Sequence, residues 1–434
     1  MNQTADAIIV GAGIIGSSIA AQLAARGHEV VVVDKAAGAG FGSSSASSGI
    51  VRFNYSVLES AVTAWEAADL WASLRDYLQA PQDEALVTLR RNGMVMLDVE
   101  TFPRERSIDF FQQLGITYEE WAPDDLARAL PGIDTGHFYP PRPLDDDDFF
   151  NEPDGDLGAL YTPQAGFIDD PRLACHNFAA AAVRRGARMV FRRRVVEVAQ
   201  QADDSWRLRL DDGTLLSAPV VVNAAGPWSG ALNALAGVGG EFRVTTRPLR
   251  QEVHAVPAPA GFNPPGGIGP SVADQDLGYY LRPELSGGLV VGGTEPACDP
   301  LEWVTDPDEV NPRRTAQMFD RQVTRAARRF PRLRIPPRPT GVVGVYDVTT
   351  DWTPIYDRTD AAGWFVAMGT SGNQFKNAPI VGEFMADIIE AVAAGVDHDT
   401  DPVAYQGAVS GLTIDLGTFS RLREPAVNSG TVAG

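Results

Sequence analysis

The stretch Asp6–Asp34, DAIIVGAGIIGSSIAAQLAARGHEVVVVD, decides the architecture of this 434-residue chain. Ala7 to Val10 is a short apolar run without polar alternation, the pattern of a strand buried on both faces of a parallel sheet. Gly11, Gly13 and Gly16 follow in G-x-G-x-x-G spacing. The first permits a tight turn, the second lets the backbone approach a pyrophosphate, and the third lets the helix pack closely on the strand. Ile14 to Ala25 predicts a helix whose free N–H groups and positive dipole end face the phosphates. Gly27 stops it, Val30 to Val33 forms a second strand, and Asp34 stands at that strand's end, 23 residues after Gly11. A carboxylate there accepts the ribose hydroxyls, and an acid rather than an arginine disfavours a 2′-phosphate. A dinucleotide is therefore expected, NAD or FAD rather than NADP.

Length and composition narrow the class. At 434 residues the chain is too long for one simple core and suits two domains. Its 36 basic and 56 acidic residues leave a net charge of −20, which argues against nucleic acid or an anionic membrane as partner. Two cysteines, Cys175 and Cys298, make no disulfide framework and read as small buried residues of a reducing compartment. No basic leader precedes the first strand and no apolar run reaches spanning length, so a cytoplasmic protein is expected. The five histidines lack ligand spacing, and no metal is expected. Lys35 and Lys376 are the only lysines; the other basic residues are arginine. A lysine retained in such a chain is a candidate for a specific task.

Beyond Asp34 the chain leaves the pattern of a continuous NAD domain. It enters the Gly/Ser loop GAGFGSSSASSGIVRFNY, then a helical stretch from about Leu58 to Tyr77. The helix–strand pattern returns in PRLACHNFAAAAVRRGARMVF and in the apolar run ending NAAGPW, and again in GWFVAMGTSGNQFKNAPIVGEFMADIIEAVAAG. Between them lie β-rich segments. The reading is an α/β fold with a Rossmann-like FAD-binding domain in three chain segments, 1–86, 160–241 and 336–434, the last with the C-terminal tail. An inserted β-rich substrate domain occupies 87–159 and 242–335. The acidic run LDDDDFFNEPDGD reads as a solvated loop.

These motifs, with SSSASSGIVR, GFIDDPRLA, VVNAAGPWS, GYYLRPE and GGLVVGGTE, make residues 5 to 395 resemble the D-amino-acid oxidase family of flavoenzymes. The motifs are most like the branch of sarcosine oxidase, glycine oxidase and the dimethylglycine and sarcosine dehydrogenases. The resemblance implies FAD. It implies Gly11, Gly13, Ile14, Ile15 and Gly16 around the phosphates, and Asp34 with Lys35 at the adenosine ribose. It further implies Ser43, Ser44, Ser48 and Gly49 along the phosphate and flavin channel, Val195 beside the adenine, and Ala225, Gly226 and Trp228 near the cofactor. Gly344 falls at the flavin, the turn through Gly369, Gly372, Asn373 and Gln374 lies under its pyrimidine end, and Phe375 and Lys376 follow among the cofactor-binding residues. There the N-terminus of the helix from about Ala378 would stabilise the negative charge of reduced flavin.

The resemblance also implies that Arg52 and Lys376 hold a substrate carboxylate, with Tyr280 adding a hydroxyl. A guanidinium fork matches a carboxylate, and lysine adds a point charge. A cation at a helix start opposes the dipole, so mere decoration is a costly explanation of Lys376. The implied chemistry is oxidation of the C–N bond of an amino acid, or an N-methyl or secondary amine acid, to an imine, by hydride transfer to flavin and then hydrolysis. Oxygen or another acceptor takes the electrons. His254 is considered for amine protonation, and a strand-core role fits it better.

Departures from the sarcosine oxidase pattern leave the substrate open. The covalent-flavin cysteine of that enzyme falls at Gly344, its oxygen-activating lysine at Val290, and active-site residues at Ser45, Gly49 and Thr294. Arg282 compensates for the missing lysine only if it faces the flavin. A dehydrogenase-like profile is favoured over an oxidase. Alternatives are a flavin subunit of a heteromeric amine dehydrogenase, or a non-catalytic flavin-binding assembly factor; a partner subunit or homo-oligomer stays open. With Gly344 in place of cysteine, acid precipitation is expected to release yellow FAD into the supernatant. Flavin retained in the pellet overturns non-covalent binding.

Overall fold

In the computed structural model, residues 2–426 are described; 427–434, the end of the expected third segment, lie outside them. The opening stretch forms the strands Ala7–Val10 and Val30–Asp34 around the helix Ile14–Ala25. They nucleate a six-stranded sheet in the order Arg188–Phe191, Val30–Asp34, Ala7–Val10, Val220–Asn223, Trp364–Met368, Ile355–Arg358. The first five run parallel and the last is antiparallel. Segments near residues 7–34, 188–223 and 355–368 thus assemble one sheet, as the three-piece reading expects.

Both faces of this sheet are covered, which is why its strands carry no polar alternation. Ala7, Ile9, Val30, Val32, Val222 and Phe365 face the helices Ile14–Ala25, Pro171–Arg184 and Ala378–Ala393. Their neighbours Ile8, Val31, Val33, Val221, Trp364 and Val366 face the other way, onto Trp206, Leu208, Leu210 and Leu216. Those four belong to an antiparallel meander, Val195–Gln200, Trp206–Leu210 and Leu215–Ala218, which the turn at Asp212-Gly213 helps to close.

The inserted region builds an eight-stranded sheet: Gly341–Thr349, Thr246–Pro257, Gly288–Gly293, Tyr279–Pro283, Ser271–Asp274, Met94–Leu97, Ala159–Thr162, Glu119–Trp121. It runs past residue 335, where the sequence reading ended it. Gly341–Thr349 pairs with Thr246–His254 through a nine-residue register, and Ala159–Thr162 pairs with Met94–Leu97 across the other expected boundary. The helical piece expected near 312–329 is Ala316–Arg329, capped by the Thr315 side chain. Its Phe319, Val323 and Ala326 cover one face of the large sheet, packing with Val95, Val272, Tyr279, Leu281, Leu289 and Val291. The opposite face of the same strands is left for the site.

The helix Ala316–Arg329 is also tied down by buried polar groups. Glu252 accepts from Thr315 N at 3.0 Å and Arg250 at 2.8 Å, and meets His254 Nε2 at 3.0 Å; His254 Nδ1 meets Gln322 at 2.8 Å. At the helix end Arg329, fully buried, donates to Asp274 at 2.7 Å, Asp276 at 2.6 Å and the carbonyls of Asp134 and Gly136 at 2.7 and 2.6 Å. Burial, then the neighbouring Asp274, pushes the Asp276 carboxyl up to about 6. Of the cysteines, Cys175 is buried and Cys298 half-buried beside Arg325. In the acidic run, Asp146 and Asp148 meet Arg142 at the surface, each at 3.4 Å.

Arg329→Met strands two buried carboxylates, a loss of about 3–5 kcal/mol by analogy with broken buried ion pairs. The denaturant midpoint is expected to fall. The deficit is larger at about pH 8 than at about pH 5, because protonating Asp276, already pushed up by burial, relieves the repulsion. An unchanged midpoint at both pH values counts against this anchoring role.

Candidate functional site

A cavity of about 390 Å³ lies between the C-terminal ends of the parallel strands and the free face of the large sheet. Crevices at strand C-termini, where the chain crosses over, are the usual ligand sites of such sheets. At one end is Asp34. Its two carboxylate oxygens accept from Ala12 N and Ala36 N, each at 2.7 Å, which sets the carboxylate at the strand tip with lone pairs to spare. Ser44 Oγ accepts from Ile14 N at 3.1 Å, bringing the Gly/Ser loop onto the helix N-terminus.

Two of the three glycines stand at the close approaches their spacing predicts. A Cβ on Gly11 would stand 2.2 Å from the Ala224 carbonyl oxygen, and Gly11 has φ +113°. A Cβ on Gly16 would stand 2.0 Å from the Gly11 carbonyl oxygen, so Gly16 serves helix–strand packing and does not line the cavity. Gly369 likewise lies off the cavity; its φ is +70° and a Cβ would strike Thr349 Cγ2 at 2.2 Å. Gly11, Gly13, Ile14, Ile15, Asp34, Lys35, Ser43, Ser44, Ser48 and Gly49 all line it. So do Val195, Ala225, Gly226, Trp228, Gly344, Gly372, Asn373, Gln374 and Phe375, together with Arg52, Tyr280 and Lys376. The cradle of close-approach glycines with an acid at one end fits an extended dinucleotide.

The large sheet supplies the far wall by simple alternation. Met96, Ala273, Tyr280, Gly292, Val253 and Val342 stand directly opposite one another across six strands. Gly292 is the hole in this row: a Cβ there would lie 2.5 Å from the Tyr280 ring, which occupies the space. The phenol oxygen meets Ser48 Oγ at 2.7 Å, and burial pushes Tyr280 up to about 12, so it stays protonated.

Two cations approach Tyr55. Arg52 Cζ lies 4.6 Å and Lys376 Nζ 5.0 Å from the centre of its ring. Both are buried, at 8% and 3% exposure, and both line the cavity. Lys376 Nζ donates to the Asn373 carbonyl at 2.6 Å, and the Lys376 carbonyl accepts from Trp71 Nε1 at 2.6 Å. Burial, then the nearby Arg52, holds Lys376 well below the ordinary lysine range, and burial lowers Arg52 too. The acids among the lining residues are Asp34 at the far end and Asp347, which accepts from Gly369 N at 2.6 Å.

Other sequence candidates fall outside. His254 is enclosed by Glu252, Gln322 and Phe319, with no part in the cavity lining. Arg282 lies 4.5 Å over the Phe167 ring and Val290 is likewise absent from the lining. Sequence reasoning missed Tyr55, whose only signal was its spacing from Arg52. It also missed Met94, Met96, Gln251 and Ala273, which strand alternation around Tyr280 would have found. Asp308 had no signal. It lies in the second insertion, yet it pairs with Lys35, accepts from Trp228 Nε1 at 3.1 Å and pairs with Arg194 at 2.9 Å. Lys35 Nζ sits 3.5 Å over the Trp228 ring, so the first lysine serves this clasp near Asp34.

A family model described as DAO, FAD dependent oxidoreductase, matches residues 6–388. The chain is 25% identical over 414 residues to FAD-dependent oxidoreductase domain-containing protein 1 of Bos taurus, covering 89% of this chain and 81% of that one. It is 24% identical over 410 residues to a glycine oxidase of Geobacillus kaustophilus, covering 92% and 96%. Among solved structures, an L-proline dehydrogenase from P. horikoshii is similar with a TM-score of 0.74 at 21% identity, over 98% of each chain. With the glycine cradle, the acid at the second strand and a sheet assembled from three segments, the chain belongs to the DAO family of FAD-dependent oxidoreductases.

Proposed function

We propose that the protein oxidises the C–N bond of an amino acid, primary or N-alkylated, to an imine that water then hydrolyses. FAD, when bound, supplies the hydride acceptor. The observation that carries the reading is the pair of buried cations, Arg52 and Lys376, beside Tyr55 in the cavity. Holding both of these basic groups charged out of water is costly, and a carboxylate beside them offsets both desolvation and mutual repulsion. Arg52 offers a planar fork and Lys376 a compact charge, so together they orient as well as attract. Tyr280, held by Ser48, closes the opposite side with a hydroxyl.

Glycine oxidase and L-proline dehydrogenase, both similar to this chain, are named for an amino acid, one as an oxidase and the other as a dehydrogenase. The cations lining the cavity are Lys35, Arg193 and Arg194 near Asp34, and Arg52 and Lys376 at the carboxylate position. Among the described residues no further lysine or arginine lines the cavity between these groups, where a charge would aid reduction of oxygen to superoxide. That favours a dehydrogenase-like profile.

Lys376→Met is expected to weaken carboxylate inhibitors and amino-acid turnover by roughly 30- to 4,000-fold, with FAD retained. Unchanged kinetics removes the anchor. In stopped-flow, the reduced protein should reoxidise slowly with oxygen and faster with a dye or quinone. Stoichiometric hydrogen peroxide at the dye-coupled rate reverses that to an oxidase.

A further inference from the structure

An amino acid arrives at neutral pH as a zwitterion, and its ammonium has no lone pair on nitrogen to support loss of hydride from the adjacent carbon. Some group must take the proton. His254 is spent on Glu252 and Gln322 away from the cavity. Asp34 is at the cofactor's far end, and Asp347 is held by Gly369 N and Thr370. We propose that Lys376 is the proton acceptor, taking the substrate's ammonium proton as the carboxylate settles between Lys376 and Arg52. This rests on the reading of that pair as a carboxylate site.

The geometry supplies both parts of the exchange. Lys376 Nζ and Arg52 Cζ lie 5.0 and 4.6 Å from the centre of the same Tyr55 ring, and among the described residues Nζ has one hydrogen-bond partner, the Asn373 carbonyl. The groups placed at its amine are Arg52, Tyr55 and the Asn373 carbonyl, while the Trp71 indole meets its backbone carbonyl. Tyr356, from the neighbouring strand, meets Gln374 at 3.2 Å. None is a carboxylate able to hold the ammonium form. Burial and Arg52 both act against a charge on this lysine, in agreement with its lowered proton affinity. The incoming carboxylate reverses the balance by adding an opposite charge. One N–H bond of the substrate ammonium breaks and one N–H bond at Nζ forms. A neutral amine and a lysine ammonium paired with the carboxylate result, with no net proton taken from solvent. The proton stays on Nζ while a carboxylate is bound and returns to solvent when the carboxylate product leaves. Lysine suits this role because, unlike arginine, burial shifts it into a titratable range.

The test uses carboxylates that carry no amine proton. Methoxyacetate and 2-furoate are titrated into the FAD-loaded protein by calorimetry at about pH 8, in buffers of differing ionisation enthalpy. Lacking a proton to give, each is expected to draw up to about one proton per site from the buffer. Lys376→Arg, permanently charged, should still bind them but with no buffer dependence. In that variant the anaerobic reduction rate should rise about tenfold per pH unit below the substrate amine's own pKa, where the native enzyme stays flatter. Binding without proton uptake in the native protein overturns the proton-acceptor role and leaves the carboxylate site standing. No saturation by either carboxylate overturns the carboxylate site, and this proposal with it.

Discussion

The backbone contact between Gly11 and Ala224 is the constraint on which the cavity depends. The first glycine of the opening motif comes so close to the turn after Val220–Asn223 that no side chain fits between them. The contact joins the first and second chain segments at the ends of adjacent parallel strands. It aligns the N-terminus of the helix Ile14–Ala25 with the Gly/Ser loop and the Ala225–Trp228 turn around one crevice.

Charge then divides the crevice into two ends. At the Asp34 end, Lys35 and Arg194 share the Asp308 carboxylate in a surface clasp that ties the second insertion to the nucleotide-binding sheet. At the other, Arg52 and Lys376 are withdrawn from water beside one aromatic ring. The same two residue types do structural work at one end and, on our reading, chemical work at the other. Burial makes the difference, since partly exposed pairs are screened by solvent while a charge withdrawn from it is costly to hold. The large sheet serves both purposes. One face is a hydrocarbon core against the helix Ala316–Arg329, and the other carries Met96, Ala273, Tyr280 and Val253 into the cavity.

By itself the sequence determined the nucleotide-binding half. Strand, glycine triplet, helix and acid are all local, and their steric demands are written within some thirty residues. The three-segment arrangement followed because each return to the helix–strand pattern ends in a glycine turn. Lysine scarcity singled out Lys376 but could not say that Lys35 lies in a clasp with Asp308, since that pair is separated by most of the chain. The end of the large sheet at Thr349 was illegible too, because a Val/Gly strand reads alike whichever sheet it joins, and only pairing with Thr246–His254 assigns it. Tertiary structure alone decided that Arg282 packs on Phe167, that His254 faces away from the cavity, and that Tyr55 stands beside both Arg52 and Lys376. Which face of a strand meets a ligand, and which charges share a buried space, depend on packing between distant segments, and no local pattern encodes that.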